Sequence, residues 1–117
     1  MRVEFLRDRA KLFALRIINV AASLPKSGPA QVLGHQLLRS GTSVAANLRE
    51  ASRARSNAEV ISKLGIVEQE LDETMLWLEL LIEAKLVAAA KLQPLHSEAD
   101  ELLRLVITCI KTFKRHK

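Results

Sequence analysis

Hydrophobic residues recur at alternating steps of four and three along most of the chain. In the first stretch the recurring positions are Leu6, Ala10, Phe13, Ile17, Val20 and Leu24. This spacing puts them on one face of an α-helix. We predict a helix from Val3 to Ser23, which ends because Pro25, Gly28 and Pro29 follow it.

The same spacing predicts a second helix from Ala30 to about Arg53 and a third that ends near Lys85. Glycine in a helix interior costs about 1 kcal/mol relative to alanine, so Gly41 indicates a close approach of another helix. The third helix starts at the sequence Ser-Asn-Ala-Glu, residues 56–59. This is a capping box, in which the serine hydroxyl accepts the glutamate N–H and the glutamate reaches back to the serine N–H.

A fourth helix is predicted from Pro94 to about Lys114. Four helices joined by three short connections indicate an all-α fold, an antiparallel up-down-up-down four-helix bundle formed by one domain, residues 1–117. The last two helices carry more apolar residues than one core needs, and we expect this surplus to form contacts between copies of the chain. It consists of Ile61, Ile66, Leu76, Trp77, Leu80 and Ile82 on the third helix and Leu103, Leu105, Ile107 and Ile110 on the fourth.

Composition excludes several classes of protein. Hydrophobic residues make up 49% and charged residues 26% of the chain, which is typical of a folded globular domain. No apolar run reaches the length of a membrane span, and the first residues do not open a secretory signal, so we expect a cytoplasmic protein with no membrane partner. The single cysteine, Cys109, lies among apolar residues and is predicted to be a buried thiol.

The net charge of +5 is unevenly distributed. Residues 1–55 contain ten Lys or Arg against three acids, residues 56–86 contain two against seven, and residues 87–117 contain six against three. An acidic segment between basic ones can pair with a neighbouring copy of the chain, or it can leave a basic surface free for an anionic partner.

Polar residues also recur at helical spacing, in the middle of the second and third helices. They are Ser40, Ser43, Asn47 and Glu50 on the second helix and Lys63, Glu70, Thr74 and Trp77 on the third. We predict a polar seam where these two helices pair. It can be satisfied internally, by hydrogen bonds among its members, or it can bind a small ligand or a phosphate through Arg39 and Arg49.

Motifs for metal binding and catalysis are missing from the sequence. His35, His96 and His116 are far apart, and no Glu-x-x-His pair of the di-metal bundle type occurs. No nucleophile elbow, Walker loop or dinucleotide fingerprint is present. We therefore predict no cofactor, no metal and no enzymatic activity.

Basic residues supply candidates for contacts to the phosphates of RNA or DNA, which would be sensitive to salt and largely independent of sequence. Those on the first two helices are Arg7, Arg9, Lys11, Arg16, Arg49, Arg53 and Arg55, and those in the basic tail that ends at Lys117 are Lys111, Lys114 and Arg115. The competing interpretation is a solvated face with ion pairs between copies.

Three runs carry a resemblance to a known family: QLLRSGTSVAANLREA, ETMLWLELLIEA and IKTFK. With these runs the chain resembles the bacterial four helix bundle protein family, also called 23S rRNA-intervening sequence proteins. The resemblance implies a helical bundle that assembles into a ring-shaped homopentamer. The accessory proteins of diversity-generating retroelements look like relatives, and they act by binding nucleic acid and a reverse transcriptase.

Charge and resemblance together predict a non-enzymatic, oligomeric accessory protein that binds RNA or DNA through basic surfaces. The alternative is an interaction scaffold that binds a partner protein without nucleic acid. Strong salt dependence of binding to arbitrary duplexes distinguishes the first hypothesis from the second.

Overall fold

In the computed structural model, which describes residues 2–116, the chain forms four α-helices. They are α1 (Val3–Ser23), α2 (Gly28–Ser52), α3 (Asn57–Glu83) and α4 (Ala89–Arg115). No strand occurs among the described residues. Each helix packs against the next one along the chain, and α4 closes the bundle against α1. The predicted all-α four-helix bundle is therefore confirmed.

The start of α4 was predicted wrongly. The helix begins at Ala89, five residues before Pro94, and the proline lies inside it. Proline lacks the N–H that would bond to the carbonyl of Ala90, but its fixed φ suits a helix. Leu92 and Leu95 are almost completely buried. An earlier start lets Leu92 join the core, and the helix loses one backbone hydrogen bond in return.

The capping box of α3 forms with one difference from the prediction. The Ser56 hydroxyl accepts the backbone N–H of Glu59 at 3.1 Å, as expected. The Glu59 carboxylate, however, accepts the N–H of Arg55 at 3.3 Å, one residue before the predicted donor. The carboxylate thereby satisfies a backbone donor of the short connection between α2 and α3.

Gly41 lies at a close contact between α2 and α1. A Cβ atom at this position would come within 2.8 Å of both Cγ atoms of Ile17, which is completely buried. Real Cβ atoms do not come so close, so only glycine fits without movement of the neighbouring side chain. This confirms the close approach that the glycine predicted.

The apolar surplus lies elsewhere than predicted. On α4, Leu103, Leu105 and Ile107 are half-buried and Ile110 is buried, so little of the predicted surplus of this helix is exposed in a single chain. Leu103 and Leu105 pack against the core, and Ile110 belongs to it. The large apolar side chains that are exposed on helices are Phe5, Leu12, Leu15 and Ile18 of α1, Val32 and Leu38 of α2, and Ile66, Leu76 and Leu80 of α3.

Cys109 is buried, as predicted, and it is part of the core. None of the helices within residues 2–116 is both long enough and apolar enough to cross a membrane.

Candidate nucleic-acid interface

The antiparallel arrangement brings basic segments from different parts of the chain to one end of the bundle. The start of α1, the end of α2 and the start of α3 meet there. The end of α4 joins them, because the Asn57 side chain donates a hydrogen bond to the carbonyl of His116 at 3.1 Å. This end therefore collects cations that are separated by up to a hundred residues of sequence.

A groove runs between α1 and α2 at this end. Its cavity has a volume of about 630 Å³, and four cations line it: Arg7, Lys11, Arg49 and Arg53. The small side chains of Ala45 and Ala46 lie between the long ones and keep the groove open.

A second depression, of about 460 Å³, extends the groove toward the start of α3. It is lined by Arg49, Glu50, Arg53, Arg55, Glu59 and Lys63. Because the two depressions share Arg49, Glu50 and Arg53, they form one continuous surface. We call this surface the basic groove.

Three acids line the basic groove, and each one is held by another group. Asp8 accepts a bond from Arg7 Nε at 3.0 Å, and Glu50 lies 2.7 Å from Lys63 Nζ. The third acid, Glu59, accepts the backbone N–H at the α3 cap. Among residues 2–116, Arg49 of α2 and Arg53, the C-cap residue of α2, have no acidic partner, and both are exposed. Their guanidinium groups are free to bind an anion.

Arg9, predicted as a phosphate contact, does not line this surface and is bonded to acids of α4 instead. Its guanidinium donates two hydrogen bonds of 2.8 Å to Glu98 and lies 2.7 Å from Glu101. These bonds raise the pKa of Arg9 well above its ordinary value. Arg9 therefore ties α1 to α4. Its partners lie 89 and 92 residues away, and no local sequence signal points to them.

The remaining basic candidates lie outside the groove. Arg16 is exposed, farther along α1. Lys111, Lys114 and Arg115 are exposed at the end of α4, which lies diagonally across the bundle from α2. Lys117, the end of the predicted basic tail, lies outside the described residues.

The polar seam between α2 and α3 contains a buried hydroxyl pair. Ser40 Oγ and Thr74 Oγ1 lie 2.8 Å apart and are completely buried. Thr74 also contacts the carbonyl of Glu70, at 2.7 Å, and Ser40 contacts that of Leu37, at 3.4 Å. The pair joins the two helices, and both of its O–H donors have an acceptor when Thr74 donates to Glu70 and Ser40 donates to Thr74.

Ion pairs flank this hydroxyl pair on the protein surface. Arg39 lies 3.2 Å from Glu70 and 2.6 Å from Glu73. Toward the other end of the seam, the pair of Glu50 with Lys63 described above joins the same two helices.

The other seam residues do not reach across the helix pair by hydrogen bonds. The Asn47 amide donates to the carbonyl and the hydroxyl of Ser43, in its own helix. The indole Nε1 of Trp77 is buried, and it has no hydrogen-bond partner among residues 2–116. The Ser40–Thr74 pair and the Asn47 contacts match the interpretation in which the seam satisfies itself, and the Trp77 Nε1–H is the exception to it among residues 2–116.

Metal ligands are not clustered within the described residues: no group of three His, Cys, Asp or Glu side chains could hold an ion. His96 instead lies 2.7 Å from Glu79, in a pair that connects α4 to α3. Arg9 and His96 thus each fix α4 to a neighbouring helix.

Comparison with known proteins identifies the family. The family model described as 23S rRNA-intervening sequence protein matches residues 6–108. The chain belongs to this family. The match extends into all four helices and includes the residues that line the basic groove.

A solved structure of an S23 ribosomal protein family member from Bacteroides thetaiotaomicron VPI-5482, described as having unknown function, is similar throughout. It shares 38% sequence identity with the chain, at a TM-score of 0.87, over 95% of this chain and 99% of that one. None of the curated proteins compared with the chain matches it. The family is thus established by sequence and by structure, and neither comparison assigns an activity.

Proposed function

We propose that this family member is a non-enzymatic accessory protein that binds the phosphate backbone of RNA or DNA in the basic groove. The observation that carries the proposal is that Arg49 and Arg53 are exposed beside Arg7 and Lys11, while every acid of the groove is held by another group. Lys and Arg neutralise phosphates and release bound counterions, so such a surface attracts any nucleic acid. The family's description, which refers to 23S rRNA, supports this choice of ligand.

The groove favours the backbone over the bases. None of the residues that line either depression is aromatic. Stacking on aromatic side chains supplies much of the binding energy in single-strand binding proteins. Without it, contacts to phosphates dominate, and these fix position without reading sequence.

The test is the salt dependence of binding to labelled duplexes of RNA and of DNA, measured by fluorescence anisotropy. Each phosphate contact changes log K by about 0.9 per decade of salt concentration. Replacing both Arg49 and Arg53 with alanine should therefore lower the slope by about 1.8. The matched control, Lys111→Ala with Lys114→Ala, removes the same charge outside the groove and should leave the slope unchanged. An equal loss in both double variants would refute the groove as the site.

We also propose that the chain assembles into a ring, the homopentamer that the family resemblance implies. The exposed apolar residues of α1 and α3 support this, because these two helices are diagonal in the bundle and their outer faces point in opposite directions. Contacts between two different faces generate rings or filaments. The charges are compatible as well, since α3 carries seven acids and one lysine, while α1 carries four bases and two acids.

Light scattering tests the assembly. Replacing Leu12 and Leu15 of α1 with serine should reduce the mass from that of a ring to that of one chain. The control replaces Val32, an equally exposed residue of α2, with serine. A wild-type protein that is monomeric at all concentrations would contradict the ring.

The second candidate function is a scaffold that binds a partner protein. An apolar cleft of about 340 Å³ between the end of α1 and the start of α2 favours it, and Ile18, Leu24 and Leu38 contribute to its lining. This cleft lies at the opposite end of α1 from the basic groove. Wild-type protein that binds neither duplex at low salt would favour the scaffold.

A further inference from the structure

Glu50 occupies a critical place in the basic groove. It lies on α2 between the two arginines, and it lines both depressions. Arg53 is the C-cap residue of α2, and its backbone N–H donates to the carbonyl of Glu50 at 3.1 Å. The two side chains therefore leave the same end of the helix, where oppositely charged neighbours can pair. An ion pair between them would occupy one of the cations that the groove offers to a phosphate.

Lys63 competes for this carboxylate. It reaches across from α3, and its Nζ lies 2.7 Å from Glu50 Oε1. The Lys63 side chain is 29% exposed, and the ion pair bonds the Glu50 carboxylate to a side chain of α3. The hydrogen bond to Glu50 also raises the pKa of Lys63, which keeps the ammonium charged.

We infer that Lys63 is a positioning residue of the groove, which holds the Glu50 carboxylate away from Arg53 and so keeps this arginine available to an anionic ligand. The effect of Lys63 on ligand binding rests on the proposed function. The position of the Glu50 carboxylate beside Lys63 does not depend on it. Lys63 acts through Glu50, and it does not need to touch the nucleic acid.

The first experiment measures duplex binding against salt for four variants. In Lys63→Met, the released carboxylate should pair with Arg53, so the slope of log K should fall by about 0.9 and affinity at about 0.1 M salt should drop about tenfold. In the double variant Glu50→Gln with Lys63→Met the carboxylate charge is gone, and the wild-type slope should return. Lys63→Arg keeps the ion pair and should behave as wild type.

The double variant separates two roles of Lys63. If the lysine contacted a phosphate itself, the slope would stay low in the double variant, and the inference would be wrong. An unchanged slope in Lys63→Met would also overturn it. The fourth variant, Arg104→Met, controls for loss of charge, because Arg104 forms an exposed ion pair with Asp100 on α4, outside the groove. It should leave the slope unchanged.

A second experiment tests the arrangement without any nucleic acid. The side-chain Nε–Hε resonance of Arg53, observed by NMR, should shift in Lys63→Met and return to its wild-type position in the double variant. An unchanged resonance would refute the inference. If the resonance shifts as expected and wild-type protein binds no duplex, the proposed function fails while the positioning role stands.

Discussion

Replacing Gly41 with alanine tests the close contact between α1 and α2. In a helix interior the change from glycine to alanine gains about 1 kcal/mol of stability, because alanine loses less backbone entropy on folding. Against this, the new Cβ would lie 2.8 Å from two Cγ atoms of Ile17. Overpacking a tight core costs about 1–3 kcal/mol. We therefore expect Gly41→Ala to lower the free energy of unfolding by about 1 kcal/mol.

Gly65 of α3 is the matched control. Nothing lies within 4 Å of a Cβ at this position, so Gly65→Ala should raise the free energy of unfolding by up to about 1 kcal/mol. The difference between the two variants then measures the cost of the contact with Ile17. Urea unfolding followed by circular dichroism gives both values, at one protein concentration because assembly would shift stability.

A third variant identifies the atoms responsible. Ile17→Ala removes both Cγ atoms and should itself cost about 2–5 kcal/mol. In that background Gly41→Ala should become stabilising, because only the helix-propensity gain remains. If Gly41→Ala were as stable as Gly65→Ala in the wild-type background, the close approach of α1 and α2 would be refuted.

Three further predictions concern buried contacts. Arg9→Met should lower the free energy of unfolding by about 1–3 kcal/mol, because Glu98 loses a partner that donates two hydrogen bonds. Urea unfolding measures this change. An unchanged midpoint would count against the tie between α1 and α4. Ser40→Ala should cost about 1 kcal/mol in thermal unfolding, and no more, since Thr74 keeps its bond to a backbone carbonyl. Burial raises the pKa of the Cys109 thiol from its ordinary 9.0. Iodoacetamide should therefore react slowly with native protein and quickly in denaturant. The free energy of unfolding should also fall as pH rises above about 9, because the thiol then ionises more readily in the unfolded chain. Equal rates in both states would contradict the burial of this thiol.

Most of the fold could be predicted from local signals. The bounds of α1 follow from apolar spacing and a proline-rich break, and the start of α3 follows from Ser56 and its capping box. Gly41 predicted a close contact, because glycine lowers the stability of a helix interior and fits best where a neighbouring helix leaves no room for a side chain. The start of α4 could not be predicted in this way, because the burial of Leu92 outweighs the tendency of Pro94 to begin a helix.

The candidate site could be predicted only in part. Sequence supplied a set of cations, but the packing of α1 beside α2 decides that Lys11 and Arg49 share a groove. The same packing assigns Arg9 to an ion pair with distant acids, which spacing along the chain cannot reveal. The number of apolar residues on α4 can likewise be read from the sequence, but the share of them that neighbouring helices cover cannot.

Phosphate binding by the arginines of the basic groove is tested by comparing the duplex RNA affinity of wild-type protein with that of the Arg49→Ala, Arg53→Ala double variant between about 50 and about 200 mM salt. We expect straight lines of log K against log salt, with a slope lower by about 1.8 in the variant. Parallel lines of equal slope would show that these arginines do not contact the backbone, and would refute the groove as the binding site.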